Sequence, residues 1–469
     1  MPVIPYRLDR LQNQKDLAQF LHTFQQTNFE KSSLQIASIS LEINPVDPLA
    51  VLQAIGQPHQ RHFYFEKAGK ESILAIETAI QLEFEGEKRF YQAKQFIHDA
   101  LKNITHMGLN APFSGAHFFC NFSFFDQVSQ EAVFPAASVF LPRWQIVRRG
   151  NRCTVTANIE VDRRLDPDTI AHQIWKKLQV IQGVQYEAID LRIDHKKLLT
   201  KQDVSPTGYF KTSVASALEL IYKKHFHKIV LAHALDVTSP IPFNLISSLN
   251  NLRKLYPNCY IFSTSNSTGQ TFVGASPERL VSLHNQRLET DALAGSAPRG
   301  KTAIEDAQFA HDLLSSVKET HEHQVVIDSI AQHLSHLGLQ AQCSPARLLR
   351  LPNIQHLHTP IRANVPAGVH LLDVVAELHP TPAVAGAPRT VACEQIRRYE
   401  QFERSLYAAP IGWVDHQGNG EFAVGIRSAL LDGCQARLFA GAGIVAGSNP
   451  EKELNEVQLK LQALLRALV

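Results

Sequence analysis

Strand-like and helical runs alternate along this chain without a strict βαβα rhythm, and that order leaves few architectures open. KIVLAHALDV (228–237), CYIFSTS (259–265) and RLFAGAGIV (437–445) read as strands set between helical stretches. Earlier, LQIASISLEI (34–43) and HFFCNFSFFD (117–126) read as strands, and RFYQAKQFIHDALKNI, from Arg89, as an amphipathic helix. VFLPRWQIVRRGNRCTVTANIEV reads as a hairpin turning at Arg149-Gly150-Asn151. The mixture predicts a layered α+β fold, with mixed or antiparallel sheets flanked by helices. The Lys-rich DHKKLLTKQDVSPTG, near 195–205, is the best place for a linker or a surface crossing. It separates residues 1–200 from 201–469, expected to be parts of one integrated domain.

Lys+Arg (46) nearly balance Asp+Glu (44) over 469 residues. Such a chain has no global field to draw nucleic acid or an anionic membrane, so an anionic ligand needs a local site. Six cysteines are scattered singly, the pattern of thiols in a reduced compartment. The N-terminal MPVIPYRLDRLQNQKDLAQF lacks the apolar core of a secretory signal. No segment reaches the roughly 18 consecutive apolar residues of a membrane helix. A cytoplasmic location, with no membrane or nucleic-acid partner, is the expectation.

Several short runs place chemistry-bearing residues where they could form a site. In KIVLAH, strand alternation puts Lys228 on one face with Val230 and Ala232. It is either a strand-end charge reaching water or a desolvated amine able to act as a base. In GASPERL (274–280), Glu278 follows a Ser-Pro turn that puts its carboxyl at a loop tip. TDALAGSAPRG (290–300) is dense in small residues, as in a plain loop or where backbone approaches a ligand closely.

From Ile304 to about Leu337 a long helix is predicted, on which Glu319 and Glu322 share a face. Its HEH triplet lacks the HExxH spacing of a zinc helix, and hard carboxylates suit magnesium better; a solvated charged face paired with Lys318 is the alternative. ELHPTPAVAGAPR (377–389) is too rich in proline and glycine for a regular element and is an ordered loop around His379. GNGEFAVGIR (418–427) is a turn and strand delivering Arg427, which can fork onto a carboxylate or make a surface pair. Asn449 and Pro450 then fit the cap and first turn of a helix with Glu453, Glu456 and Lys460 along one face.

In this order, KIVLAH, GASPERL, AGSAPRG, the HEH helix, ELHPTPAVAG, LYAAPIGW (406–413), GNGEFAVGIR and AGAGIVAGSNPEKELNEVQLK resemble the chorismate-utilising enzymes. That family includes isochorismate, salicylate, anthranilate and aminodeoxychorismate synthases. The likeness covers about 205–465, and the N-terminal half fits more loosely, through GAHFFCNFSFFD. It implies the anthranilate synthase component I type of fold, with 201–469 the catalytic, chorismate-binding part.

The resemblance also implies roles. Glu322 and Glu456 would hold Mg²⁺, with Glu319 and Glu453 in outer positions. Arg427 and Lys460 would grip the substrate carboxylates, helped by backbone near Gly441 and Gly443. Lys228 would be the base that activates water, Glu278 the acid opposite it, and His379 would line the ring. Members that add ammonia typically carry glutamine at the place of Lys228, and the aminodeoxychorismate type has lysine at that of Ala294, beside Gly295. Lysine at 228 with Ala294 therefore resembles the water-adding group.

Salicylate synthases share both residues but also eliminate pyruvate. Ala383-Val384 resembles the isomerase-only members, whereas Tyr407 departs from isomerases that have phenylalanine there. Leu293 and Ser296 replace a usual proline and a frequent threonine. The likeness thus implies an Mg²⁺-dependent isochorismate synthase, often monomeric in this family, feeding menaquinone or phylloquinone synthesis. The alternatives are a salicylate synthase and a non-catalytic chorismate-binding protein.

Overall fold

The computed structural model describes residues 14–27, 35–67, 71–108, 113–161, 166–184 and 199–468. The expected strands form at Gln35–Ile43, His117–Phe122, Lys228–Thr238, Tyr260–Ser265 and Gln435–Val445, and the expected helix at Arg89–Lys102. The hairpin joins Ala137–Arg149 to Arg152–Val161 through Gly150, whose φ of 58° suits a residue without a Cβ.

Two arms of antiparallel sheet diverge from the strand Ala137–Arg149. Along one edge it pairs with Glu71–Phe84. On the other, its first residues pair with His117–Phe122 and its later ones with Arg152–Val161. The first arm runs through Glu71–Phe84, His62–Lys67, Tyr260–Ser265, Thr271–Ser276, Ser428–Asp432 and Gln435–Val445 to Lys228–Thr238. The second runs through His117–Phe122, Pro410–Asp415, Gly420–Val424, Arg279–His284 and Arg287–Pro298 to Ile354–Asn364. Early and late segments therefore share both arms.

Phe63 and Phe119, one from each arm, lie 4.9 Å apart, and Asn121 Nδ2 donates to Thr264 Oγ1 at 2.8 Å. The arms thus face each other over an aromatic core, where ring burial is the largest apolar gain available to a sheet. Helices Tyr209–Tyr222 and Pro450–Leu468 cover the first arm, and Val317–His336 and Leu371–Leu378 the second. This is the predicted α+β arrangement of antiparallel sheet flanked by helices. Among the described residues no helix is long and apolar enough to cross a membrane, and the six cysteines form no disulfide.

Three expectations change. The stretch 304–337 is two helices, Ala303–Ser315 and Val317–His336, broken at Ser316, whose extended backbone lets its side chain accept from Glu319 N. TDALAGSAPRG is mostly strand, with a bulge at Gly295. Within the stretch expected to be a linker or surface crossing, residues 195–198 lie outside the described residues, and Thr200–Asp203 is an exposed edge strand paired with Lys228–Thr238.

Candidate active site

The chain passes from the first arm to the second at 277–278 and back at 425–427. The two crossings lie side by side: Ala275 N donates to Arg427 O at 3.1 Å, and Val424 N to Glu278 O at 3.1 Å. Glu278 thus sits in the loop after the Ser-Pro turn, and that loop is buried. Arg427 takes a left-handed φ of 49°, which turns it out of the strand direction. Both line one cleft of about 850 Å³, mouth included.

Twelve of the fourteen residues singled out from the sequence line this cleft: Glu278, Ala294, Gly295, Glu319, Glu322, Tyr407, Arg427, Gly441, Gly443, Glu453, Glu456 and Lys460. Lys228 lies just behind the wall. It is 1% exposed, and Nζ donates to Glu322 Oε1 at 2.7 Å. Gly443 faces this pair: a Cβ there would stand 2.6 Å from Glu322 Oε1 and 3.3 Å from Lys228 Cε. A Cβ at Gly441 would stand 2.8 Å from the Tyr407 hydroxyl. The small residues of AGAGIV thus keep one wall open between strand and carboxylates.

His379 is not brought to the cleft. Its Nε2–H donates to Phe124 O at 3.0 Å, and its ring packs against Phe90 and Phe124. Burial, with Arg89 adding to it, holds its imidazole well below the ordinary range, so the ring is neutral. It anchors the start of the loop that carries Ala383 and Val384 to the cleft. That loop also bonds the edge of the lysine strand, with Val230 N donating to Ala385 O at 2.8 Å.

Burial pushes the Glu278 carboxyl up to about 8, against the pull of Lys228 and with a contribution from Asp291. Near neutral pH it carries a proton. Glu319 and Glu453 are also raised, first by burial and then by other carboxylates of the rim, with Lys318 opposing. Lys318 Nζ lies 3.6 Å from Glu319 and 3.5 Å from Glu453, and Lys460 Nζ donates to Glu456 Oε1 at 2.7 Å and to Gly441 O at 2.8 Å.

This rim of four carboxylates is a hard-oxygen donor set whose mutual repulsion a divalent cation would relieve, which fits Mg²⁺. Among the described residues, however, no three of these carboxylates have oxygens within 4.8 Å of one another. Each is instead near a lysine: Lys318 bridges Glu319 and Glu453, Lys228 meets Glu322, and Lys460 meets Glu456.

Two groups escaped the sequence reading. His356, from the strand Ile354–Asn364, lines the cleft, and Arg427 Nη2 donates to its Nε2 at 2.9 Å. Arginine only donates, so Nε2 is the acceptor, Nδ1 carries the proton, and Ser296 Oγ at 2.9 Å receives it. Burial, Arg427 and Lys460 hold this imidazole far below its ordinary range. Among the described residues, Arg427 thus leans on a neutral ring and makes no ion pair.

The second group is the buried pair Arg404–Glu400, at 2.6 Å. Arg404 donates to Val384 O and Val230 O, each at 2.8 Å, and Glu400 Oε1 accepts from Ala232 N at 2.8 Å. It fastens the loop to the lysine strand beneath the cleft. The alternation of His356 and His358 on one strand face was the available signal for the first group; the second, just past the end of helix Arg389–Tyr399, had no periodic signal.

A family model described as "Chorismate binding enzyme" matches residues 19–469. The chain is 30% identical over 477 residues to isochorismate synthase MenF of Bacillus subtilis, covering 97% of each. It is 32% identical over 468 residues to the salicylate biosynthesis isochorismate synthase of Pseudomonas aeruginosa, covering 96% of this chain and 95% of that one. The solved structure of the menaquinone-specific isochorismate synthase MenF from Escherichia coli superposes with a TM-score of 0.77 at 26% identity, over 97% of this chain and all of that one. Anthranilate synthase component I from Streptococcus pneumoniae, 22% identical, shares the fold with a TM-score of 0.68 over 84% of this chain and 92% of that one.

Proposed function

The chain belongs to the chorismate-binding enzyme family, and from that premise we propose that it is an isochorismate synthase, adding water at C2 of chorismate while the C4 hydroxyl leaves. The observation that carries this reading is the pairing, at one cleft, of a carboxyl protonated near neutral pH with a buried lysine. Arg427 and Lys460 bind the two carboxylates of the substrate, with the Gly441 backbone beside them. Lys228 takes a proton from water as its oxygen bonds to C2. Glu278 gives its proton to the departing C4 hydroxyl, so one water enters and one leaves.

For this role the Lys228 amine exchanges Glu322 for a water in the cleft, and Gly443 provides the opening. Ala294 leaves that side free of a competing amine, and Tyr407 and Val384 close the apolar side. His379, seated outside the cleft, positions the loop rather than the ring. Mg²⁺, held by Glu322 and Glu456 with Glu319 and Glu453 behind them, would supply positive charge to anchor a substrate carboxylate.

Similarity over nearly the whole chain to the menaquinone-specific isochorismate synthase of Escherichia coli supports a place in menaquinone synthesis, with phylloquinone as the alternative quinone, and six free cysteines are in keeping with a cytoplasmic enzyme. Residues 201–469 supply every cleft residue, which supports reading them as the catalytic part. A salicylate synthase is the second reading, kept by Tyr407 in the cleft wall. The test is the product of purified protein, chorismate and Mg²⁺, followed by NMR and a pyruvate-coupled assay. Isochorismate without pyruvate supports the proposal, and pyruvate formed as fast as chorismate disappears moves the assignment to salicylate synthase.

A further inference from the structure

At the end of helix Val317–His336 farthest from the cleft carboxylates, His333 and His336 stand one turn apart on the same face. Glu377 meets them from the last turn of helix Leu371–Leu378. His333 Nδ1 lies 2.7 Å and His336 Nδ1 2.9 Å from the same oxygen, Glu377 Oε1. The three donor atoms all fall within 4.8 Å of one another. We propose that these residues form a second cation site, selective for a borderline transition ion such as Zn²⁺ and separate from the carboxylate rim.

Two imidazoles converge on this one oxygen with the same ring nitrogen, which brings three potential ligand atoms together at one point. An ion bonded to nitrogen and oxygen at about 2.0–2.2 Å holds such donors roughly 3.3 Å apart, so a small outward shift admits it. Two imidazoles and one carboxylate suit Zn²⁺ or Co²⁺ over Mg²⁺, which prefers oxygen. Three protein donors leave a fourth position for water. Arg389 is the nearby cation, but its Nη2 donates to the carbonyls of Glu377 and Leu378 and leaves the carboxylate to the histidines. The side chains are 23%, 52% and 28% exposed, so an ion can reach them from solvent.

The placement gives the site a consequence. One helix begins with Glu319 and Glu322; the other ends at Glu377–Leu378, where the loop to Ala383 and Val384 starts. An ion there braces the helix that carries half the acidic rim against the base of that loop.

The test is calorimetric titration of the full chain with Zn²⁺ in excess Mg²⁺, which competes at the carboxylate rim, alongside the visible absorption of bound Co²⁺. One equivalent is expected to bind and to raise the melting temperature. His336→Asn, at a half-exposed position that tolerates substitution, and Glu377→Gln should each weaken binding by at least about tenfold and abolish the Co²⁺ spectrum. Failure of Zn²⁺ to bind in excess Mg²⁺, or equal affinity in wild type and both variants, overturns the proposal. Neither result bears on the reaction at the cleft, since the readouts are binding and stability.

Discussion

Lys228 Nζ donates to Glu322 Oε1 at 2.7 Å, and Gly443, which lines the cleft with Glu322, faces that pair. The pair joins the strand that carries the proposed base to the helix that carries half the acidic rim. Removing the lysine side chain outright would leave the buried Glu322 carboxylate without its donor, a cost of several kcal/mol.

Lys228→Gln keeps the chain length and a donor toward Glu322 but removes the amine that accepts a proton. General-base catalysis is worth about 10²–10⁴-fold, so turnover should fall by that order. Calorimetric titration of chorismate with Mg²⁺ should show near-unchanged binding, because the carboxylates are assigned to Arg427 and Lys460. Retained turnover removes Lys228 as base, and joint loss of binding and turnover recasts it as a substrate clamp.

Glu278 gives a pH signature. Its carboxyl ionises at about 8 in the folded protein, against an ordinary value of 4.5. Between those values the native state holds a proton that the unfolded chain has released, so stability falls as pH rises from about 4.5 to 8. Below that window Glu278 contributes no slope. Glu278→Gln cannot titrate, so denaturant melts should show it gaining on the wild type across the window, while its turnover collapses by about 10²–10⁴-fold. Wild-type turnover should decline above about pH 8 as the acid is lost. A stability difference flat from pH 5 to 8 would contradict the placement of this group.

His356 is expected to act through Arg427. Removing its ring takes away the acceptor that aims the guanidinium, a hydrogen bond to a charged group worth about 1.5–3 kcal/mol. His356→Ala should therefore raise the KM for chorismate by roughly 10- to 100-fold with a smaller change in kcat, and His356→Gln should recover part of it. A purely structural role predicts instead a lower melting temperature with unchanged KM.

Much of this was legible where one element carries its own spacing. Glu319 with Glu322, and Glu453 with Glu456 and Lys460, share helix faces by periodicity alone, and Asn449 caps its helix as its side chain and the following proline require. What was lost depended on contacts between distant segments. Apolar spacing runs unbroken through Ser315-Ser316, so one helix was expected, and only the Ser316 hydroxyl bonded to Glu319 N marks the break. His379 takes a carbonyl 255 residues away, which no local pattern records. His356 and Arg427 are 71 residues apart and meet only because strands of one arm end beside a crossing from the other. Strand alternation placed Lys228 on an apolar face, but the carboxylate that meets it comes from a helix 94 residues on.

The most direct test of water addition is turnover of chorismate in oxygen-18-labelled water, with mass spectrometry of the product. Water addition predicts isochorismate carrying one labelled oxygen, at C2, with no pyruvate released. Unlabelled isochorismate, meaning that the original hydroxyl had migrated within the ring, would contradict it.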